Sequence, residues 1–197
     1  IDAFNNYHMG VTAENVAKKF DISRKDQDKF ALNSQKKTED AIKNDKFKDE
    51  LVKVNLDGNY FDKDEHPRLG LKLSDLEKLK TVFQDNGTVT PGNSSGINDG
   101  AAALLLTSLK EAEKKSLKPL AKIVSWASVG VLPSLMGLGP IEAVRSAVKK
   151  AKWDLCEIDL FEINEAFAAQ SLAVLKTLSI PDEKVNVNGG AIALGHP

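Results

Sequence analysis

The sequence has 197 residues, enough to bury a sizeable core, and its 42% apolar and 28% charged residues are ordinary for a globular chain, which argues against intrinsic disorder. The 27 basic and 28 acidic residues nearly cancel, so the charge does not favour nucleic acid as the main partner. A single cysteine excludes an internal disulfide, and no apolar stretch is long enough to span a bilayer.

The first hundred residues are rich in Lys and Asp and predict helices followed by irregular chain. Apolar residues recur at helical spacing in two segments, opened by Thr12 and Ser23 as possible amino-terminal caps. In chain order, the patterns predict a helix over 12–20, a helix from after Ser23 to about residue 44, a strand over 50–56, a loop over 57–71, a short helix after Ser74 and a flexible loop over 87–100.

The second half is richer in Ala, Val, Leu and Gly, and it predicts strands that alternate with helices. In chain order, we expect a buried strand over 101–107, a strand over 120–129, a helix from 139 to 151, a strand over 158–163, a helix over 165–178 and a short strand over 184–187. This alternation is typical of an α/β fold.

Asn164 lies where a predicted strand passes into a predicted helix, within the segment NEAFAAQ. Such junctions place side chains and helix amides at the end of a sheet, where ligands often bind. The side chain of Asn164 either caps the helix or orients a water or an oxyanion.

His196 lies in the glycine-rich segment NGGAIALGHP, residues 188–197. Glycines allow a backbone to approach a substrate closely, and imidazole is a common catalytic group. A structural histidine and a catalytic one both fit this pattern.

Other kinds of site have little support. The loop over 90–100 has neither a P-loop lysine nor the order GxGxxG, and no histidine follows Ser95 closely, so neither a phosphate loop nor a serine triad is indicated. No metal site is expected, because His66 and the other two histidines are far apart and there is no second cysteine. Cys156 is expected to be a small buried residue rather than a nucleophile.

Five ordered motifs together resemble the thiolase family, most closely its short-chain branch, the acetyl-CoA acetyltransferases. They are YHMG with the following TAENVA, GNSSGINDGAAALLL from Gly92, MGLGP from Met136, LFEINEAFAAQ from Leu160 and NVNGGAIALGHP from Asn186. The resemblance covers essentially the whole chain.

The resemblance implies a layered α/β/α/β/α fold, made of two similar core domains with a loop domain inserted in the first. Residues 1–97 would be most of the loop domain, 98–117 the end of the first core domain, and 118–197 the start of the second. The thiolase fold is therefore expected to be incomplete in this chain.

The resemblance also implies a reversible Claisen condensation of two acetyl-CoA molecules to acetoacetyl-CoA and CoA, in which a cysteine carries the acyl group and a second cysteine is the base. CoA is then substrate and product, and no cofactor is expected. The family's nucleophile would precede residue 1 and its Cys-x-Gly-Gly-Gly base would follow residue 197. We therefore expect an internal fragment that is inactive alone.

The site residues carried over from the resemblance form two groups. His196 matches the histidine that activates the nucleophilic cysteine and donates to the thioester oxygen, and Asn164 matches the asparagine that holds a water in the same oxyanion hole. The CoA-contacting positions would be Ser95 near the pantetheine, His8 and Met9 along its tunnel, Met136 and Phe167 around the acyl group, and Arg68 and Phe83 at the nucleotide end. Asp75 departs from the family, which often has a serine there.

Two other functions remain open at this point. One is a longer-chain 3-ketoacyl-CoA thiolase of fatty acid degradation, although bulky His8, Met9 and Met136 favour a narrow acyl site. The other is a truncated, non-catalytic CoA-binding module. The resemblance further implies a homo-oligomer, a dimer or a tetramer, without nucleic acid or membrane partners, and a cytoplasmic location unless an organellar presequence precedes residue 1.

Overall fold

A computed structural model describes residues 1–197 and shows a mainly helical chain with one small antiparallel hairpin. The helices are α1 (Met9–Phe20), α2 (Arg24–Lys43), α3 (Leu73–Glu77), α4 (Leu109–Lys114), α5 (Gly139–Ala151), α6 (Ala168–Leu178) and α7 (Ala191–Leu194), and 3₁₀ turns span Pro133–Leu138, Leu155–Glu157 and Asp182–Lys184. The hairpin joins β1 (Val54–Leu56) to β2 (Asn59–Phe61), with Val54 opposite Phe61.

The amino-terminal helices form where the sequence predicts them, because side chains close their first turns. The hydroxyl of Ser23 accepts a hydrogen bond from the amide of Asp26 at 3.1 Å and caps α2. Helix α1 begins three residues before the predicted start, because Nδ1 of His8, rather than Thr12, accepts from the amide of Gly10 at 3.0 Å. The hydroxyl of Thr12 instead donates to the carbonyl of Met9.

Two apolar clusters hold α6, the helix that follows Asn164, against the rest of the molecule. The smaller cluster packs α1 against α6 through residues that are mostly small, which lets the two helices approach closely: Val16, Ala17, Ile22, Ala169 and Ala173. The larger one joins α2, α3, α5, α6 and α7, and its buried members include Phe30, Leu76, Ile141, Val174, Leu178 and Ile192.

The buried face of α2 is largely polar. Its buried side chains include Gln27, Asp28, Ser34, Gln35 and Thr38. Asp28, for example, pairs with Arg24 at 2.7 Å and accepts from Nδ2 of the Asn93 side chain at 2.9 Å. The helix is therefore attached to its neighbours by directed hydrogen bonds as well as by apolar contacts.

The strands predicted over 101–107 and 120–129 are absent, and this prediction was wrong for the chain as it stands. Neither segment makes a hydrogen bond from its backbone to another part of the backbone. Leu104, Leu105 and Leu106 are 87%, 79% and 70% exposed, although burial was expected. A strand exists only when a neighbouring strand satisfies its amides and carbonyls, and no other strand lies beside these segments.

The strands predicted over 158–163 and 184–187 are reduced to one parallel bridge between Phe161 and Val185. The amide of Phe161 donates to the carbonyl of Lys184 at 2.8 Å, and its carbonyl accepts from the amide of Asn186 at 2.9 Å. The pairing stops there because no further strand extends it. The strand predicted over 50–56 is also shorter than expected, since β1 begins only at Val54. Strand β2 lies within residues 57–71, which were predicted to be a loop.

Cys156 is exposed, so the prediction that it is buried was wrong. It lies in the Leu155–Glu157 turn, whose Leu155, like the following Ile158, packs partly against the core. The turn directs these two apolar side chains inward and leaves the cysteine between them outside.

Candidate active site

Asn164 and His196 lie next to each other, as catalytic partners would. Nδ2 of Asn164 is 3.5 Å from Nε2 of His196, and both side chains are exposed. Asn164 does not cap a helix, because α6 begins four residues later and the residue before it, Phe167, makes no side-chain cap. The amide of Asn164 is therefore available to a water or a ligand beside the imidazole.

A buried carboxylate, Glu165, holds the two segments that carry this pair. The Glu165 side chain is 1% exposed and accepts three hydrogen bonds: from Oγ of Ser34 at 2.7 Å, from Nδ2 of Asn186 at 2.8 Å and from the amide of Ile192 at 3.2 Å. Burial raises the pKa of this carboxyl, and the hydrogen bonds oppose that change. Glu165 directly follows Asn164, so its hydrogen bonds attach this part of the chain to α2 and α7.

Gly190, which directly precedes α7, is required by the position of that carboxylate. A Cβ atom on Gly190 would overlap the carboxyl carbon of Glu165. The amide of Gly190 donates to Oγ of Ser34 at 3.1 Å, so the serine hydroxyl serves the carboxylate and the turn together. At Gly190, the close approach expected of these glycines is therefore an approach to Glu165.

The side chain of Asn186 also holds the segment before Asn164, because it bonds to the backbone of that segment as a neighbouring strand would. Its Oδ1 accepts from the amide of Ile163 and its Nδ2 donates to the carbonyl of the same residue, both at 2.8 Å. Sequence analysis missed Asn186, Glu165 and Ser34. The available signal was a charged residue, Glu165, within a run of small and apolar residues.

Three predicted ligand-contacting residues form an aromatic stack at the amino end of α1. The rings of His8 and Phe83 are stacked with centroids 4.5 Å apart, and Phe83 meets Phe167 edge to face at 6.2 Å. Met9 follows His8 and is half-buried. The stack places an apolar surface three residues from Asn164.

Ser95 connects the glycine and serine loop to the same region. Its amide and its hydroxyl both donate to the carbonyl of Ala166, each at 3.0 Å. A bridge between Ser94 and Phe167 adds to this attachment. Loop residues are thereby held beside the chain that carries Asn164.

Met136, Arg68 and Asp75 are less closely tied to this group. Met136 is half-buried in the Pro133–Leu138 turn, which packs on α1 and α6. Arg68 has an exposed side chain, and its amide donates to the side chain of Gln35 at 2.8 Å. Asp75 accepts from the amide at the start of α3, which is a local structural role.

The structure also bears on metal binding and on membrane-spanning helices. No three histidine, cysteine, aspartate or glutamate side chains come together in a group that could hold a metal ion. No helix has the length and the apolar character needed to cross a bilayer.

Protein-family models match this chain over nearly its full length. Residues 1–110 match the thiolase N-terminal domain, and residues 117–197 match the thiolase C-terminal domain. The chain therefore belongs to the thiolase family.

Relatives of known name agree with that membership. The chain is 54% identical over 202 residues to the cytosolic acetyl-CoA acetyltransferase of Rattus norvegicus, and 54% identical over 200 residues to the acetyl-CoA acetyltransferase of Shinella zoogloeoides. Each match covers all of this chain and 51% of the relative, so the chain spans about half the length of the curated relatives it matches.

Solved thiolase structures have the same fold over this region. The acetyl-CoA acetyltransferase of Bacillus anthracis superposes with a TM-score of 0.95 at 45% identity, over all of this chain and 51% of that one. Human mitochondrial 3-ketoacyl-CoA thiolase in complex with CoA gives 0.93 at 46% identity, over 96% of this chain and 48% of that one. The predicted incomplete α/β thiolase fold is thereby confirmed, and the missing strand pairing belongs to that incompleteness.

Proposed function

We propose that this chain is part of an acetyl-CoA C-acetyltransferase, an acyltransferase that reversibly condenses two acetyl-CoA molecules to acetoacetyl-CoA and CoA. The observation that carries the proposal is the 3.5 Å approach of the Asn164 amide to the His196 imidazole, within motifs that resemble the family's catalytic pair. The names of the relatives support the same activity.

In this reaction a cysteine thiolate attacks the carbonyl of the first acetyl-CoA, the acetyl group becomes a cysteine thioester, and CoA leaves as its thiol. A second cysteine takes a proton from the methyl carbon of the next acetyl-CoA. The resulting carbanion attacks the acetyl-cysteine carbonyl, forms the new carbon–carbon bond and releases the cysteine thiolate.

His196 and Asn164 serve the charged stages of that sequence. The imidazole of His196 promotes the reactive thiolate and donates to the thioester oxygen, where negative charge develops. The Asn164 amide holds a water aimed at the same oxygen, which completes the oxyanion hole. Exposed Cys156 lies outside the family's cysteine motifs, and we propose that the 197 residues alone are inactive.

The CoA thioester would lie along the surface formed by the aromatic stack and the loop beside it. We assign His8 and Met9 to the pantetheine tunnel, with Ser95 near the pantetheine. Met136 and Phe167 would border the acyl group, and Arg68 and Phe83 the nucleotide. CoA is substrate and product here, and the chemistry asks for no cofactor or metal.

A longer-chain 3-ketoacyl-CoA thiolase is the second candidate. The CoA complex of the human mitochondrial enzyme with that name superposes closely on this chain. Bulky His8, Met9 and Met136 favour the shorter acyl group, because bulky side chains make the acyl site narrow and limit the chain length.

For organisation, we propose that residues 1–97 are most of the loop domain, 98–117 the end of one core domain and 118–197 the start of the next. A dimer or tetramer is proposed for the whole protein, through a hairpin whose Val54, Leu56 and Tyr60 are exposed. We also propose a cytoplasmic location, as in the name of the rat relative.

The test compares the complete natural protein with the isolated 197-residue chain. Purified complete protein should cleave acetoacetyl-CoA with CoA, and should prefer it to a C16 3-ketoacyl-CoA, whereas the isolated chain should do neither. Preference for the longer substrate would favour the second candidate. CoA binding without turnover by the complete protein would favour the non-catalytic CoA-binding module, and activity of the isolated chain would contradict its proposed inactivity.

A further inference from the structure

A line of hydrogen bonds connects α7 to the backbone of His196 by way of two side chains that the proposed chemistry does not use. Nε2 of His66 is 3.1 Å from the carbonyl oxygen of Ile192, and its Nδ1 is 3.4 Å from Nδ2 of Asn98. Oδ1 of Asn98 accepts from the amide of His196 at 3.2 Å. We call these three contacts the His66 relay.

The backbone groups at the two ends fix the direction of every hydrogen bond in the His66 relay. The carbonyl of Ile192 can only accept, so Nε2 of His66 carries a proton. The amide of His196 can only donate, so Asn98 turns its oxygen toward it and its nitrogen toward His66. Nδ1 of His66 must then accept, which requires a neutral imidazole ring.

Close packing confines both side chains. A Cβ atom on Gly96 would overlap the imidazole of His66, and one on Gly195 would come within 2.7 Å of the Asn98 side-chain amide. Both side chains are half-buried. The two glycines therefore let the backbone lie directly against both side chains of the relay.

The ring of His66 makes its hydrogen bonds to neutral groups, the Ile192 carbonyl and the Asn98 side-chain amide. The segments that carry or pack against the ring bear Asp64, Glu65, Arg68, Asp99 and His196, and the adjoining face of α2 bears Lys36 and Glu39. No carboxylate is positioned to hold a proton on Nδ1 by direct contact.

We propose that His66 is a pH-sensitive positioning residue, which fixes the backbone of His196 when its ring is neutral and releases it when the ring is protonated. The functional meaning of this switch rests on the proposed role of His196. Histidine is suited to it, since it is the side chain that ordinarily changes charge in the physiological pH range.

Protonation breaks the relay whichever way Asn98 responds. With a proton on Nδ1, the ring and the Asn98 amide nitrogen are two donors facing each other. If the Asn98 amide rotates to offer its oxygen to the ring, its nitrogen then faces the amide of His196, again a donor. One of the two contacts of Asn98 is lost in either case.

The experiment is amide hydrogen exchange in the complete natural protein, followed by NMR from pH 5.5 to 8 and corrected for intrinsic exchange rates. Protection of the His196 amide against exchange should fall about tenfold toward acid pH, which corresponds to the loss of one hydrogen bond. The fall should follow the titration of the His66 ring C–H signal. The Val174 amide in buried α6 is the internal reference for the fold.

Two variants separate the relay from general acid sensitivity. In His66→Phe, protection of the His196 amide should be low at every pH. In Asn98→Asp, a carboxylate that only accepts can bind the protonated ring and the His196 amide together, so protection should rise toward acid pH. This reversal is not expected if His66 merely fills space.

Constant protection in the wild-type protein, or an unchanged pH dependence in His66→Phe, would overturn the proposal. If a variant loses protection at Val174 and is unfolded, the wild-type titration alone decides. The exchange data do not depend on turnover. The relay can therefore fail while thiolase activity is found, and it can stand while the proposed activity fails.

Discussion

Asn164 and His196 face each other across 3.5 Å although 32 residues separate them in the chain. Their neighbours explain the approach: Glu165, next to Asn164, accepts from the amide of Ile192, four residues before His196. A buried carboxylate therefore sets the distance between the two exposed side chains. Their chemistry and the stability of the fold can be tested separately.

Asn164→Ala in the complete protein should lower kcat for condensation about 10²- to 10³-fold, because the group proposed for the oxyanion hole is lost. The melting temperature should change little, since the side chain is exposed. Steady-state kinetics and calorimetry measure the two effects. Asn59→Ala, at an exposed site in the hairpin, is the matched control, and equal kinetics for the two variants would contradict the assignment.

Phe83→Ala should raise KM for the acyl-CoA more than it lowers kcat, because Phe83 connects His8 and Phe167 in the aromatic stack. Stacked pairs contribute about 0.5–1.5 kcal/mol beyond buried area, so an increase in KM of several fold is expected. Phe61→Ala removes a half-exposed ring from the hairpin and should leave KM unchanged. A pure kcat effect in Phe83→Ala would remove Phe83 from the binding surface.

Glu165→Ala should lower the free energy of unfolding by about 2–5 kcal/mol, because Ser34, Asn186 and the Ile192 amide would each lose a buried acceptor. Urea denaturation measures the change. Glu162→Ala, two residues away from the junction, removes an exposed carboxylate and should cost far less. Similar losses for both would mean that the three hydrogen bonds contribute little.

Because burial raises the pKa of Glu165 above its ordinary 4.5, the folded state holds that proton more tightly than the unfolded chain does. The resulting stabilisation is fully present below pH 4.5 and is lost as pH rises through the folded-state pKa. The free energy of unfolding of the wild-type protein, minus that of Glu165→Gln, should therefore fall as pH rises above 4.5. Glu162, whose pKa burial also raises, is present in both and cancels. A difference that grows with pH would show that the hydrogen bonds outweigh burial.

Gly190→Ala should destabilise the protein by about 1–3 kcal/mol and lower condensation activity, since the new methyl group would displace the Glu165 carboxyl and with it α7. Gly130→Ala is the matched control, because no atom lies within 4 Å of the position of its Cβ. Thermal denaturation of the two variants distinguishes them. Equal stability would mean that α7 can shift without cost.

The isolated 197-residue chain should self-associate at micromolar concentration, because the three leucines 104–106 form an exposed apolar stretch without strand partners. Replacing all three by serine should reduce association in sedimentation velocity. Leu69→Ser, at a single exposed leucine in the loop before α3, should not. A monomeric wild-type chain would contradict this prediction.

The longer helices were predictable from the sequence because their signals are local, whereas the short helices α4 and α7 were not predicted. Periodicity, together with Ser23 as a cap, placed α2 within one residue at its carboxyl end. Strands were not predictable in this way, because their hydrogen bonds depend on partner strands elsewhere in the chain. Residues 101–107 have the composition of a buried strand and yet are exposed where no neighbour is present.

The residues of the candidate site were also predictable from the sequence only in part. Asn164 and His196 belong to recognisable motifs, and the structure brings them together, although their catalytic role stays a prediction. Asn186 and Asn98 act through side-chain hydrogen bonds to backbone groups that are distant along the chain. No periodicity or spacing in the sequence announces such contacts, so they had to be found in three dimensions.

The polar buried face of α2 determines in which register the helix can dock. A shift by one residue turns the face by about 100°, so Ser34 would be replaced opposite Glu165 by a neighbour of different shape. An apolar stripe tolerates such sliding, whereas a row of directed hydrogen bonds loses its partners when the register changes. Helix α2 therefore contributes selectivity among alternative packings, beyond the strength of the one observed.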